Sequence, residues 1–322
     1  MNVHPAIRAL RGDWPSQRRA QELLLRAIGE WRASATTRAV EADFQRYGAG
    51  ASLDESRAIS DLLDDHEAAL AWVGKLFGLL MPILRQEHLG DLPVRFSCSE
   101  GFATIQLFAH GRATLNVVAH EPRRLSGRPQ SLLLVDREST ELLLRGQAEG
   151  VFYRSIEKTA ERREIWSDDR EWQAGDRIEL GSDDGRHLLE FDHTLLTLQL
   201  VRSAENPRPT CKYSLADGRL LQSASGDKQA SRDLMALGVL GAMPVGGALE
   251  VMKRISLDQR RASDLRWEAT RQALSVDAQE GIALLDQLAE HDREALAFPA
   301  ARLKSQLSAA YPQLAEFDLE AA

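Results

Sequence analysis

The residues best suited to chemistry are three histidines and one glutamate near candidate β-strands. His120 and Glu121 end one strand pattern, and His187 and His193 flank another. Imidazole nitrogens with one carboxylate are the ligands with which proteins hold iron, manganese or zinc while leaving positions open for a substrate. His187 and His193 lie about 20 Å apart along an extended strand, so only one of them can share a metal with His120. The sequence therefore offers His120, Glu121 and His187 as one candidate site for a single divalent metal (Fe, Mn or Zn), but we expect solvated loop histidines and no cofactor.

Other residues with reactive side chains give weaker patterns. Ser97, Cys98 and Ser99 lack the strand-to-helix turn of a nucleophile elbow, and we expect Cys98, which begins a strand, to be buried. His66 falls on the apolar face of a helix and is expected to be a hydrogen-bonded core residue. The glycines within 238–247 lack the lysine and spacing of a phosphate-binding loop. The sequence thus assigns no catalytic residue, and it leaves open whether the protein is an enzyme.

The N-terminal segment, residues 1–91, is predicted to be helical. Apolar residues recur every three or four positions, and Ser52 with Glu55 forms a capping box before the longest such run. Three helices are predicted, over residues 17–31, 40–47 and 52–82. The most apolar stretch, residues 70–84, contains Lys75 and is shorter than the ~20 residues of a membrane-spanning helix. We therefore expect it to be a buried helix.

The middle segment, residues 92–224, changes to the alternating pattern of β-strands. Strands are predicted over residues 103–109, 113–120, 131–135, 141–144, 150–153, 177–180, 187–191 and 195–201. Turn residues separate them, and no helical pattern of 10 to 15 residues intervenes. These features favour an antiparallel barrel or sandwich over a parallel sheet.

The C-terminal segment, residues 225–322, returns to helical spacing with short loops. Neighbouring helices joined by short loops pack antiparallel as hairpins. The predicted fold class is therefore α+β, with an antiparallel β-barrel or sandwich flanked by N-terminal helices and a C-terminal helical-hairpin domain.

Composition limits the classes of partner. The net charge is −8, with basic and acidic residues interspersed, which disfavours a nucleic-acid binder. The two cysteines, Cys98 and Cys211, are far apart and fit neither a disulfide framework nor a zinc site. Arg8, Arg11 and Asp13 leave no apolar core for a secretory signal. We expect a cytoplasmic protein with neither a nucleic-acid nor a membrane partner.

The middle segment resembles the cupin family of small antiparallel barrels. The resemblance is carried by Glu141 to Gly146, then Gly175 with Asp176, and then Gly185-Arg186-His187. Cupins hold one metal with two histidines and a glutamate from a first motif and a third histidine after a Gly-Asp turn. Here the second motif is one residue too long and no His-x-His precedes Glu141. The resemblance implies a cupin-like barrel and does not transfer a metal site.

The C-terminal segment resembles HEAT-type helical repeats. The resemblance is carried by the stretches 265–269, 278–289 and 292–303. HEAT-type repeats stack paired helices by an apolar face and present a surface to a protein partner. The resemblance therefore implies a protein partner bound by the C-terminal helices.

Three functions remain open from the sequence. The first, which we favour, is a non-catalytic interaction or regulatory protein with a cupin-like β-domain and a partner-binding helical end. The second is a metal-dependent cupin-type oxygenase or isomerase using His120, Glu121 and His187. The third is a metal-free pocket for a small molecule, lined by apolar strand residues such as Phe152 and Tyr153. Convergence of His120 and His187 would favour the second, whereas an exposed apolar patch on the C-terminal helices would favour the first.

Overall fold

The computed structural model describes residues 12–124, 127–159, 161–243, 246–291 and 296–311. Its contacts divide the chain into a first unit that ends at Ala224 and a second that begins at Ser225. The first contains helices and β-strands, and the described residues of the second form helices.

Before the first strand, the described residues form four helices. These are α1 (Trp14–Ala33), α2 (Ala35–Gly48), α3 (Arg57–Asp64) and α4 (His66–Gln86). Side-chain caps fix where three of them begin, because each accepts a hydrogen bond from a backbone N–H that the first helical turn leaves unpaired. Asp13 caps α1, Ser34 caps α2, and Asp65 caps α4 by accepting from the Ala68 amide at 3.0 Å.

The long helix predicted over residues 52–82 is two helices. Asp65 is extended, with φ −110° and ψ 97°, so the chain turns there and α4 starts with its own cap. Ser52 and Glu55 do bond reciprocally, at 2.8 and 3.2 Å, but α3 begins only at Arg57. Pro82 lies inside α4, which continues to Gln86.

Thirteen strands follow within the described residues. They are β1 (Phe96–Ser99), β2 (Phe102–His110), β3 (Ala113–His120), β4 (Arg123–Arg124), β5 (Ser131–Leu134), β6 (Arg137–Arg145), β7 (Gln147–Thr159), β8 (Arg162–Gln173), β9 (Arg177–Leu180), β10 (Asp184–Phe191), β11 (Leu195–Ser203), β12 (Thr210–Ser214) and β13 (Leu220–Ala224). All the recorded strand pairs are antiparallel. The predicted α+β class with an antiparallel β-domain is confirmed.

The strands form three sheets in the described part of the chain. The large sheet has the order β1-β2-β3-β11-β6-β9, the middle sheet β4-β10-β7-β8 and the small sheet β13-β12-β5. Leu143 and Leu195 of the large sheet share a core with Trp172 and Phe191 of the middle sheet. The large and middle sheets therefore pack face to face as a sandwich.

The outer face of the large sheet is covered by the N-terminal helices. Leu115, Leu142 and Leu198 share one core with Trp31 of α1 and Trp72 of α4. Burying these side chains, at about 1.5–3 kcal/mol each, is what holds the helices on the sheet. The other face of the large sheet is thus the interior of the sandwich.

Helix α4 is long and apolar enough to cross a membrane, judged by length and composition. In the structure, Ala69, Trp72, Val73, Leu76 and Leu80 are buried in the core shared with the large sheet. Helices that form the core of a globular unit meet the same length and composition criteria as membrane spans. One face of α4 is therefore buried, whereas Ala71, Lys75 and Met81 are exposed.

The second unit contains α5 (Lys228–Ala242), α6 (Ala248–Leu257), α7 (Ser263–Val276), α8 (Ala278–His291) and α9 (Ala297–Ala310). Leu237, Met252, Leu265 and Leu284 form the core that joins the first four of these helices. The predicted helical hairpins are therefore present, whereas HEAT-type repetition stays a prediction. Residues 292–295 of the predicted repeat lie outside the described residues.

Candidate functional site

A row of polar side chains lies on the interior face of the large sheet. Arg137, Ser139 and Glu141 alternate along β6 with residues that face the helices, so the three side chains share the interior face. Gln199 of β11 is in register with Glu141, and Asn116 of β3 is in register with Gln199. Sandwich interiors are normally apolar, so this row is the first candidate for a functional site.

Glu141 is the centre of a buried ion-pair network. Its side chain is 4% exposed, and that of Arg186 on β10 is 12% exposed. Arg186 donates to Glu141 Oε2 through Nε, at 3.0 Å, and through one terminal nitrogen as well. Gln199 Nε2 donates to Glu141 Oε1 at 2.8 Å. Both carboxylate oxygens are therefore engaged, and the network ties the large sheet to the middle sheet.

A cavity of about 220 Å³ adjoins this network and is lined in part by Arg137, Ser139, Glu141, Arg186 and Gln199. Asp184 also lines it, but that carboxylate pairs with Arg154 at 3.2 Å and accepts from the Gly181 amide. Arg137 forms no ion pair with any described residue. Two guanidiniums and two carboxylates line the cavity, and Arg137 is the one of these four charges without a bonded partner among the described residues.

The direction in which the pKa of Arg137 shifts is consistent with a guanidinium that has no bonded carboxylate. Although the residue as a whole is exposed, burial lowers the pKa of Arg137, the charge of Glu141 raises it, and Arg186 lowers it. The net direction is downward. The cation at Arg137 is thus only partly compensated by its surroundings.

Two buried hydroxyl groups lie on the same interior face. Ser139 and Thr197 are 4% and 1% exposed, and their oxygens have no hydrogen-bond partner among the described residues. A buried hydroxyl without a partner costs on the order of 1–3 kcal/mol, so such groups mark places where a bound molecule or water completes the structure. Ser139 lines the 220 Å³ cavity beside Arg137.

His120 and His187 line a second cavity, of about 570 Å³, together with Arg128 and with Arg186, which also lines the first cavity. His120, at the end of β3, packs edge-on against Phe191, with ring centroids 6.4 Å apart. His187 packs edge-on against Tyr153 at 5.3 Å. His187 directly follows Arg186 on β10, so the two side chains point to opposite faces of the strand.

The described residues do not bring together the three side chains predicted to hold a metal ion. Glu121 lies just after β3, where its amide donates to the Gly101 carbonyl, and it is exposed and does not line the cavity of the two histidines. Over the described ranges, no three His, Cys, Asp or Glu side chains are grouped so that they could hold a metal ion. The assignment of His120, Glu121 and His187 to one metal ion stays a prediction.

The remaining sequence candidates lie elsewhere. Cys98 is on edge strand β1 and is exposed, so its predicted burial is wrong: all four residues of this short outermost strand are solvent-exposed. His66 is the first residue of α4, and its Nε2 lies 2.9 Å from the Leu144 carbonyl, in agreement with a hydrogen-bonded structural histidine. His193 lines a different cavity from His187. Tyr153 is buried in the core between the middle and small sheets, not beside the polar row.

The close packing at His187 gives a testable prediction. A Cβ at Gly150 would lie 2.3 Å from the His187 carbonyl oxygen and 2.5 Å from the Trp172 ring. We expect Gly150→Ala to destabilise the protein by about 1–3 kcal/mol, since backbone cannot yield as a flexible side chain can. Urea unfolding measures this. In Gly29→Ala, the matched control, the new methyl group meets nothing within 4 Å and should be neutral or stabilising; equal effects in the two variants would contradict the close approach.

Comparisons with known proteins give matches among solved structures only. No protein-family profile and no curated protein matches this chain. CapF with the inhibitor 3-isopropenyl-tropolone is 13% identical, with a TM-score of 0.26 over 41% of this chain and 36% of that chain. The coconut allergen cocosin is 12% identical, with a TM-score of 0.27 over 38% and 35%. KdgF from Halomonas sp. is 12% identical, with a TM-score of 0.26 over 35% and 88%.

CapF and KdgF are cupin-fold proteins, the family that the middle segment resembles. The matched region spans about a third of the length of CapF and cocosin. With TM-scores this low, the matches do not decide the fold of this chain. Its class rests on the strand pairing described above.

Proposed function

We propose that the protein is a non-catalytic interaction or regulatory protein whose cupin-like sandwich binds a small molecule and whose helical end binds a protein partner. The observation that supports the proposal most is the hydrogen bonding of the Glu141 carboxylate. Its three hydrogen bonds, two from Arg186 and one from Gln199, hold this carboxylate in a buried ion pair, and no described His, Cys, Asp or Glu side chains are grouped with it to hold a metal ion. Glu141 therefore has a structural role, and it lies beside a cavity in which a ligand can bind.

The partner-binding part of the proposal is supported by α5. Met235 and Val239 lie one turn apart on α5, Met243 follows the end of the helix, and each of the three is more than half exposed. Leu237, on another face of the same helix, is buried in the core of the second unit. Soluble proteins rarely expose a contiguous apolar stripe without a partner. A cytoplasmic location without a membrane or nucleic-acid partner belongs to the same proposal.

A metal-dependent cupin-type oxygenase or isomerase is the alternative function. It is favoured by one observation, the shared cavity of His120 and His187. It requires a third ligand that the described residues do not place beside them. The two proposed functions predict different metal contents for the purified protein.

Elemental analysis of untagged protein distinguishes them. We expect no stoichiometric iron, manganese or zinc, and unchanged metal content in His120→Ala and His187→Ala. His193→Ala is the matched control, because it removes a histidine from another cavity. Near-stoichiometric metal that both His120→Ala and His187→Ala lose, and that His193→Ala keeps, would overturn the non-catalytic proposal in favour of the enzyme.

A further inference from the structure

We infer that the 220 Å³ cavity beside Arg137 is a binding site for a small monocarboxylate. The inference rests on the proposed function and names its ligand class. It starts from the charges that line the cavity. Glu141 is paired with Arg186, and Asp184 is paired with Arg154, so the guanidinium of Arg137 forms no ion pair with a described residue, although the charge of Glu141 acts on it.

The donors suit a carboxylate. A guanidinium presents parallel N–H groups that match the two oxygens of a carboxylate, and charge-assisted bonds of this kind are about twice as strong as neutral ones. Ser139 adds a hydroxyl that is buried, lacks a partner and lines the same cavity. One molecule placed there can accept from both residues.

The volume of the cavity and the charge of Arg137 limit the class of anion that can bind. About 220 Å³ is below the range of roughly 300–1,000 Å³ that holds drug-sized ligands, so the ligand has only a few non-hydrogen atoms. The one lining charge without a bonded partner is the guanidinium of Arg137, and a monoanion can form an ion pair with it. Inorganic phosphate is partly a dianion at neutral pH and would leave an excess negative charge beside Glu141 and Asp184.

Access to the site is open. Arg137 is exposed at the start of β6, whereas Ser139 and Glu141 are buried further along the strand. A ligand can therefore reach Arg137 from solvent and place its carboxylate next to Ser139. Leu133, Val135 and Leu180 also line the cavity and offer apolar contacts to a short hydrocarbon tail.

The test is thermal unfolding of the chelator-treated full-length protein in increasing sodium acetate, against sodium chloride of equal ionic strength. We expect a saturable rise of about 3–6 °C at ten times the dissociation constant. Arg137→Gln should weaken the apparent affinity about ten- to a hundredfold, and Ser139→Ala severalfold. Arg145→Gln, at the other end of β6 and outside the cavity lining, is the matched control and should bind as the wild type does.

Three outcomes would overturn the inference: no rise beyond that in chloride, an equal rise in Arg137→Gln and wild type, or a larger rise with inorganic phosphate than with acetate. Ser139→Ala keeps the test decisive if Arg137→Gln does not fold. Metal analysis of the same wild-type sample separates this inference from the proposed function. Stoichiometric metal would overturn the non-catalytic function alone. A metal-free, folded protein whose unfolding temperature does not rise with acetate would overturn the ligand assignment alone.

Discussion

Replacement of Glu141 by alanine is expected to destabilise the protein by about 3–5 kcal/mol. The change leaves the guanidinium of Arg186 in the interior without its carboxylate, and it removes the acceptor of the Gln199 amide. Breaking one partner of a buried ion pair costs this much because the remaining charge has lost both water and partner. Since a typical domain is stable by about 5–15 kcal/mol, the loss is a large part of the total. Urea unfolding followed by circular dichroism measures it.

Glu179→Ala is the control for this prediction. Glu179 pairs with Arg177 at 2.6 Å, but its side chain is 66% exposed, so its loss should cost less than about 1 kcal/mol. The double variant Glu141→Leu with Arg186→Met should recover much of the stability, because well-packed apolar side chains often replace a buried pair without loss. A cost for Glu141→Ala no greater than that for Glu179→Ala would contradict the buried network.

Replacement of Trp31 by alanine is expected to cost about 3–5 kcal/mol and to loosen helices and strands together. Trp31 is 2% exposed, stacks on Phe108 of β2 at 5.8 Å, and donates from Nε1 to the Trp72 carbonyl at 3.2 Å. It therefore contacts α4 and the large sheet at once. Hydrogen exchange followed by mass spectrometry should show faster exchange both in residues 14–86 and in strands within 102–203.

The same helix provides the control, Trp14→Ala. Trp14 is 70% exposed, so its removal should change the stability by less than about 0.5 kcal/mol. If Trp31→Ala speeds exchange in the helices while the strands keep their protection, the two layers unfold independently and the shared core does not couple them.

Strands that are bounded by turn residues are predictable from the sequence. β3 and β9 have the predicted ends, because turn residues bound short alternating runs. β8 was missed: most of Arg162–Gln173 is exposed and charged, and a strand paired with β7 but turned largely to solvent gives no apolar alternation. The break at Asp65 was missed as well, since the apolar spacing continues across it from α3 to α4.

The candidate site was only partly predictable. Glu141 and Arg186 belong to the cupin-like pattern in the sequence, but their pairing joins residues 45 positions apart and depends on how two sheets stack. The predicted strand began at Glu141, which left Arg137 and Ser139 in a turn. The available signal was the alternation of Arg137, Ser139 and Glu141, and it was hard to recognise because polar residues on a strand normally face solvent.

The most direct test of the account is a calorimetric titration of sodium acetate into chelator-treated wild-type protein and Arg137→Gln. We expect one acetate bound per chain of the wild type without added metal, and binding to Arg137→Gln that is about ten- to a hundredfold weaker. Absence of binding to folded wild-type protein, or binding that requires added iron, manganese or zinc, would contradict the account.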